Sequence, residues 1–277
     1  MAGTLRDRLR TLHPGASGRS VKQWLEAGRV RVNGDVVRRG DALVGRTDRV
    51  ELGAPPPPPF PAPLRLVHED DHLVVIDKPP GLLTIADAGE RHRTAYRLLR
   101  DWVEAQGGRR IFVVHRLDRE TSGLLVFAKS PGAKEALQKQ FQFRTPERIY
   151  QARVEGVLRD DEGTLTSRLA EDRSLRVRPT WPTRDAERGR EAITRYRVLE
   201  RFQDSTLLEL KLVTGRRGQI RAQLAALGHP IVGDREYGSR RDPFKRVCLH
   251  ATRLGFMHPN GGRATFESRA PAVFRRP

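Results

Sequence analysis

The stretch His115-Arg116-Leu117-Asp118-Arg119-Glu120-Thr121-Ser122-Gly123 places a carboxylate between two arginines, with two hydroxyls just beyond. A carboxylate beside cations stays ionised, and if it is also rigidly mounted it can serve as a nucleophile or a base. The mount comes from the apolar runs 111–114 and 124–127, which read as short buried strands on either side of a polar loop. Loops held in this way are where catalytic groups tend to lie. Asp118 and Thr121 also suit an ordinary turn, in which short polar side chains satisfy nearby backbone groups. The loop alone leaves both readings open.

The rest of the chain narrows the choice. Lys+Arg 52 against Asp+Glu 34 gives a net charge of +18 over 277 residues, spread along the chain rather than confined to a tail. Such a field draws polyanions, and arginine forks match phosphate, so nucleic acid is the leading partner class. The lone Cys248 sits in an apolar run and reads as a small core residue, with no disulfide framework and no Cys-rich zinc pattern. The eight histidines show no pair at metal spacing, and His115 with Asp118 is too weak a pair to suggest a metal. Neither a dinucleotide-binding nor a P-loop glycine pattern occurs. With no signal-peptide core and no membrane-length apolar run, the expectation is a soluble, cytoplasmic, cofactor-free protein that makes no membrane contact, and a monomer.

Three segments follow from the patterning: a module over 1–53, a proline-rich linker over 54–63 and a large domain over 64–277. In the first, Leu5, Leu9 and Leu12 recur at helical spacing. A second helix opens near Ser20, capped by Ser17 or Ser20, and Gly28 ends it. Alternation around Asn33-Gly34 then predicts a hairpin. Arg19, Lys22, Arg29, Arg31 and Arg38 are available there for phosphate contacts. The run Gly28-Arg29-Val30-Arg31-Val32-Asn33-Gly34 resembles the signature of the S4 RNA-binding domain. The prolines that follow cannot form helix or central strand and read as a stiff spacer. In the large domain, strands are expected over 73–77, 149–154, 192–198, 208–212, 247–249 and 264–266, with one wet face on the alternating ones. Helices are expected over 94–102, 132–141 and 218–227. This order argues for an α+β fold with a mixed, largely antiparallel sheet.

The central loop, read on through Leu124-Leu125, resembles the H-R-L-D-x-x-T-S-G-L-L signature of the RluA-type pseudouridine synthases. Four further segments resemble that family in its order: Asp77-Lys78-Pro79-Pro80-Gly81, Tyr150-Gln151-Ala152-Arg153-Val154-Glu155-Gly156, Gly228-His229-Pro230-Ile231-Val232-Gly233-Asp234 and Leu249-His250-Ala251. One segment departs. The family has T-G-R-x-H-Q-I-R-x-H where this chain has Gly218 and Gln223 in place of the two histidines. The departure leaves the expected catalytic residues intact and bears on which RNA is held.

The resemblance implies an isomerase. Turning uridine into pseudouridine requires breaking the N1–C1′ bond, rotating the uracil and joining C5 to C1′ without losing the base. It implies Asp118 as the catalytic residue, whether by attack on the sugar, addition to the base or proton abstraction. Arg221 would be its charge partner, Ile220 would pack on the uracil, and Tyr150 would stack on the base. A uridine in folded RNA must first be flipped out, and Arg116 would hold the displaced backbone or fill the space. Ribosomal RNA, most naturally the 23S molecule, is the expected substrate, with transfer RNA the other candidate. The competing readings are a non-catalytic RNA-binding or assembly factor on the same scaffold, and a nuclease or glycosidase using Asp118 with Glu120. A DNA-binding protein would lack any recognition motif here.

Overall fold

The structure is a computed structural model that describes residues 3–54, 58–108, 110–171, 177–179 and 189–276. The chain divides into two compact units, Met1–Pro59 and Phe60–Pro277. Residues 55–57 of the expected proline linker lie outside the described residues.

The first unit runs β1 (Gly3–Thr4), α1 (Leu5–Leu12), α2 (Gly18–Glu26), β2 (Val30–Val32), β3 (Asp35–Val36), β4 (Leu43–Val44) and β5 (Val50–Leu52). Thr4 caps α1, and Ser17, rather than Ser20, caps α2 by accepting from Ser20 N at 3.1 Å. Asn33 and Gly34 both have positive φ, 53° and 95°, as a two-residue hairpin turn demands. Leu5, Leu9, Val21, Leu25, Val30 and Val44 form this unit's own core.

The second unit runs β6 (Arg65–Glu69), β7 (Leu73–Lys78), α3 (Ala95–Ala105), β8 (Phe112–Val113), β9 (Ser122–Ala128), α4 (Pro131–Gln142), β10 (Glu147–Glu155), β11 (Glu162–Glu171), β12 (Val177–Pro179), β13 (Arg190–Arg201), β14 (Ser205–Leu212), α5 (Gln219–Ala226), β15 (Leu249–Met257) and β16 (Arg263–Glu267). Its sheet has the order β12-β11-β13-β14-β10-β15-β9-β7-β6, with β16 on β15 and β8 on β9. All the pairings within it are antiparallel except β15 with β9. The α+β expectation with a largely antiparallel sheet therefore holds.

The apolar runs of β7 and β9 are buried on both faces, and period-two alternation sorts their side chains. Leu73, Val75, Leu124 and Val126 join a cluster with Ala133 and Leu137 of α4. Val74, Ile76, Leu125 and Phe127 join the larger cluster with Leu99, Trp102 and Val103 of α3. The sheet is thus clamped between helices at the strands that flank the central loop. The expected alternation holds over 208–212 of β14, where Leu208 and Leu210 are buried and Lys211 is exposed, whereas Ser205–Leu208 before it is buried on both faces. The expected strand at 247–249 starts only at Leu249.

Candidate active site

The loop from β8 to β9 is fixed at several points before Asp118 is considered. Val126 N donates to His115 Nε2 at 3.3 Å, which requires that nitrogen to be unprotonated. Burial pushes His115 down to about 3, Arg148 acting in the same direction, and its ring stacks on Phe141 at 4.5 Å. The Thr84 hydroxyl donates to Leu117 O at 2.8 Å and accepts from Leu117 N at 3.1 Å. Lys78, with no exposed surface, donates to the carbonyls of Pro79, Leu82 and Arg119 at 2.9, 2.7 and 3.1 Å. That ammonium ties the 78–82 turn to the far side of the loop. Burial holds Lys78 down at about 7, opposed by Glu120, Asp118 and Asp77.

A second set of bonds holds the strands beneath. Arg246 Nη2 donates to Ser122 Oγ at 2.6 Å, Ser122 Oγ pairs with His250 Nδ1 at 2.8 Å, His250 Nε2 with Ser268 Oγ at 3.0 Å, and Ser268 Oγ donates to Asp77 Oδ2 at 2.5 Å. Gly123, at φ 110°, lies where β9 meets β15 so closely that a Cβ would come within 2.6 Å of Ala251 N. Glycine is required there by both the backbone angle and the approach.

Asp118 N–C backbone geometry is that of a turn, Thr121 N donating to Asp118 O at 3.2 Å. Its side chain is not spent on that turn. The carboxylate lines a cavity of about 560 Å³ and has no hydrogen bond or ion pair among the described residues. Burial raises its pKa, while Arg221, Arg116 and Arg217 pull the other way. The same cavity receives Arg116 from the loop, Tyr150 from β10, and Ile220 and Arg221 from the first turn of α5. Tyr150 and Ile220 are buried, and burial also raises the Tyr150 phenol. Arg116 is exposed at the mouth.

Arg221 is held by other carboxylates than Asp118. Its Nε and Nη2 bond Asp234 Oδ2 and Oδ1, both at 2.7 Å, and Nη2 also reaches Glu236 Oε2 at 2.9 Å. Its guanidinium lies 4.5 Å from the centre of the Tyr237 ring. Asp234 therefore aims Arg221, whose charge acts on Asp118 across space.

The two departures in this segment have distinct structural roles. Gly218 caps α5 in the left-handed region at φ 58°, and a Cβ there would lie 2.7 Å from the Tyr237 hydroxyl. Gln223 is buried, accepts from Thr194 Oγ1 at 2.7 Å and donates to Leu165 O, Ser167 Oγ and Ala192 O at 3.1, 3.0 and 2.9 Å. Gln223 is thus a brace between α5, β11 and β13, turned away from the cavity. Gln219 does similar work, bonding Thr194 and Thr214.

Sequence reasoning did not single out Lys78, Asp234 or Arg148. Lys78 and Asp234 stood inside quoted motifs without a role. Arg148 carried a signal: it precedes Tyr150 by two residues on β10, and positions i and i+2 of a strand share a face. Of the expected RNA-binding residues, Arg19 and Lys22 are exposed on α2, Lys22 lying 3.7 Å from Glu26. Arg31 is exposed on β2 and donates to Gly34 O, while half-buried Arg29 donates to Gly53 O and lies 5.7 Å from the Trp24 ring centre. Cys248 is buried, and its thiol is pushed up to about 12 by burial, as a core residue. Among the described residues no cluster of His, Cys, Asp and Glu could hold a metal, and no helix is long and apolar enough to cross a membrane.

Residues 72–226 match the family described as RNA pseudouridylate synthase. The chain is 34% identical to an "Uncharacterized RNA pseudouridine synthase" of Aquifex aeolicus, over 95% of this chain and 89% of the relative. It is 35% identical to the "Ribosomal large subunit pseudouridine synthase D" of Haemophilus ducreyi, over 95% of this chain and 85% of the relative. Among solved structures, the human RNA pseudouridylate synthase domain containing 4 shares the fold, with a TM-score of 0.63 at 23% identity, over 76% of this chain and 90% of that one.

Proposed function

The chain belongs to the RluA-type family of RNA pseudouridine synthases, isomerases that act on RNA, and on that premise we propose that it isomerises specific uridines of large-subunit ribosomal RNA with Asp118 as the catalytic residue. One observation carries the reading: an otherwise unengaged carboxylate shares a single cavity with Tyr150, Ile220 and a charge-fixed Arg221. The name of the Haemophilus relative supports ribosomal RNA as the substrate, and the net charge of +18 suits it.

The chemistry follows from the surroundings. A cavity of about 560 Å³ has room for a single nucleotide, which supports the reading that the target uridine is flipped into it, at a cost of a few kcal/mol. Arg116, exposed at the mouth, fills the vacated stack or holds the displaced backbone. Inside, Tyr150 and Ile220 offer the uracil an apolar slot, and Asp118 acts on the nucleotide as nucleophile or base. The uracil must rotate without escaping, and contacts with Tyr150 and Ile220 retain it between bond cleavage and re-formation. Burial raises the proton affinity of Asp118, and the fixed Arg221, with Arg116 and Arg217, opposes that rise and favours the carboxylate form. The S4-like first unit, with Arg19, Lys22, Arg29 and Arg31, adds phosphate contacts that offset the flipping cost.

The test is direct. Purified protein incubated with an unmodified large-subunit ribosomal RNA transcript, in EDTA and without added cofactor, should produce pseudouridine at one or a few positions. Asp118→Asn should bind the transcript and produce none. Wild-type protein that binds tightly yet leaves every uridine unchanged would overturn the proposal in favour of a binding factor.

A further inference from the structure

Resting on that reading, we propose that Arg148 is the phosphate clamp of the site, holding by its guanidinium a phosphodiester next to the flipped uridine. Arg148 is 9% exposed and lines the cavity, yet its Nε has no hydrogen-bond partner and its guanidinium no carboxylate partner among the described residues. An arginine buried without a counter-ion is costly, and such a charge persists where a ligand supplies the missing anion. The nearby guanidiniums fall into two groups. Arg217 and Arg221 face carboxylates. Arg144 and Arg216, on the same wall as Arg148, have none among the described residues; Arg216 Nε donates only to Glu191 O at 3.2 Å. Arg144, Arg148 and Arg216 therefore line the cavity without a carboxylate among the described residues, Arg148 meeting only the Phe141 ring 5.8 Å away, whereas Arg221 is paired within the protein.

This division suits a nucleotide. Asp118 must meet the ribose and base, and a phosphate brought to the same wall would repel it. Anchoring the phosphate at Arg148 instead separates the two anions and sets the ribose between them. Tyr150 lies two residues along β10 on the same face, so base stacking and phosphate anchoring are built from one strand. Gly215 makes room for the clamp, since a Cβ at that position would overlap Arg148 Nη1.

The experiment measures turnover and equilibrium binding of the unmodified ribosomal RNA transcript over a range of salt, for wild type, Arg148→Gln, Arg148→Lys and Gly215→Ala. The clamp predicts that Arg148→Gln raises KM at least tenfold and makes the log-affinity against log-salt slope shallower by about 0.7, one phosphate contact. Arg148→Lys should restore the slope and part of the affinity. Gly215→Ala, which displaces the guanidinium without touching its charge, should raise KM and serves if Arg148→Gln does not fold. An unchanged salt slope in Arg148→Gln, or a fall in kcat alone, would make Arg148 a structural residue and overturn the inference. Wild type that binds RNA without turnover would instead refute the proposed function, with the binding slopes still reporting on the clamp.

Discussion

Asp118 is half-buried in the cavity, and its carboxyl binds its proton more tightly than an ordinary aspartate, the cations only partly compensating. The sign of the consequence can be worked out. Below both the unfolded value of 3.8 and the raised folded value, the group is neutral in both states and costs folding nothing. As pH rises above 3.8 the unfolded carboxyl ionises while the folded one resists, so stability is lost progressively until the raised folded value is passed. Asp118→Asn should therefore abolish turnover and be more stable relative to wild type at pH 7 than at pH 3, as read by urea denaturation at the two pH values. Turnover of wild type should fall as pH drops through a pKa above 3.8, because the protonated acid is neither nucleophile nor base. At this scale the sequence was an uneven guide. Asp118, Tyr150, Ile220 and Arg221 could be placed in one site because motifs carry them. The partners of a buried polar group could not, because they come from distant strands: the bonds of Gln223 to β11 and β13 carry no trace in the sequence. Arg221 likewise finds Asp234 thirteen residues on, rather than pairing with Asp118.

The elements beneath the loop matter as much as the loop. Lys78 donates to three carbonyls from the turn and the loop at once, and Lys78→Met would leave those of Pro79 and Leu82 without this donor, Arg119 O keeping Gly81 N. The expected cost is about 2–4 kcal/mol of stability with a larger proportional loss in kcat than in KM, measured by denaturation and steady-state assay. Gly123→Ala should be more severe, since the new methyl meets the Ala251 backbone at a φ that alanine disfavours; parallel pairing of β9 with β15 would break, at a cost of about 3–5 kcal/mol. Local physics made many of these elements readable beforehand. Ser17 ahead of α2, Asn33-Gly34 in the hairpin and the apolar runs of β7 and β9 are short-range signals that the tertiary fold reinforces. Strand β11 was missed because its alternation uses small polar residues such as Thr164 and Thr166 on an exposed face, and pairing with β12 and β13 defines it. The burial of Lys78 was equally hidden, since convergence of three carbonyls exists only in the folded chain.

At the scale of the whole molecule the two units have separate cores and a shared excess of positive charge. Deleting residues 1–53 should weaken RNA binding and make its salt dependence shallower by several phosphate contacts, while the second unit keeps its active-site chemistry; an unchanged salt slope would mean that the first unit does not touch phosphate. RNA affinity as a whole should fall steeply with salt, because a field of +18 acts through released counter-ions more than through directed bonds. What such a field cannot supply is selection of one uridine, which must come from the cavity and the contacts at its mouth. The decisive measurement is a pseudouridine map of ribosomal RNA from cells carrying wild-type protein and from cells carrying Asp118→Asn at equal abundance. Loss of one or a few large-subunit sites in the mutant is the predicted result and would identify the substrate together with the catalytic group. Identical maps, with the mutant protein folded and still bound to RNA, would contradict catalysis by Asp118.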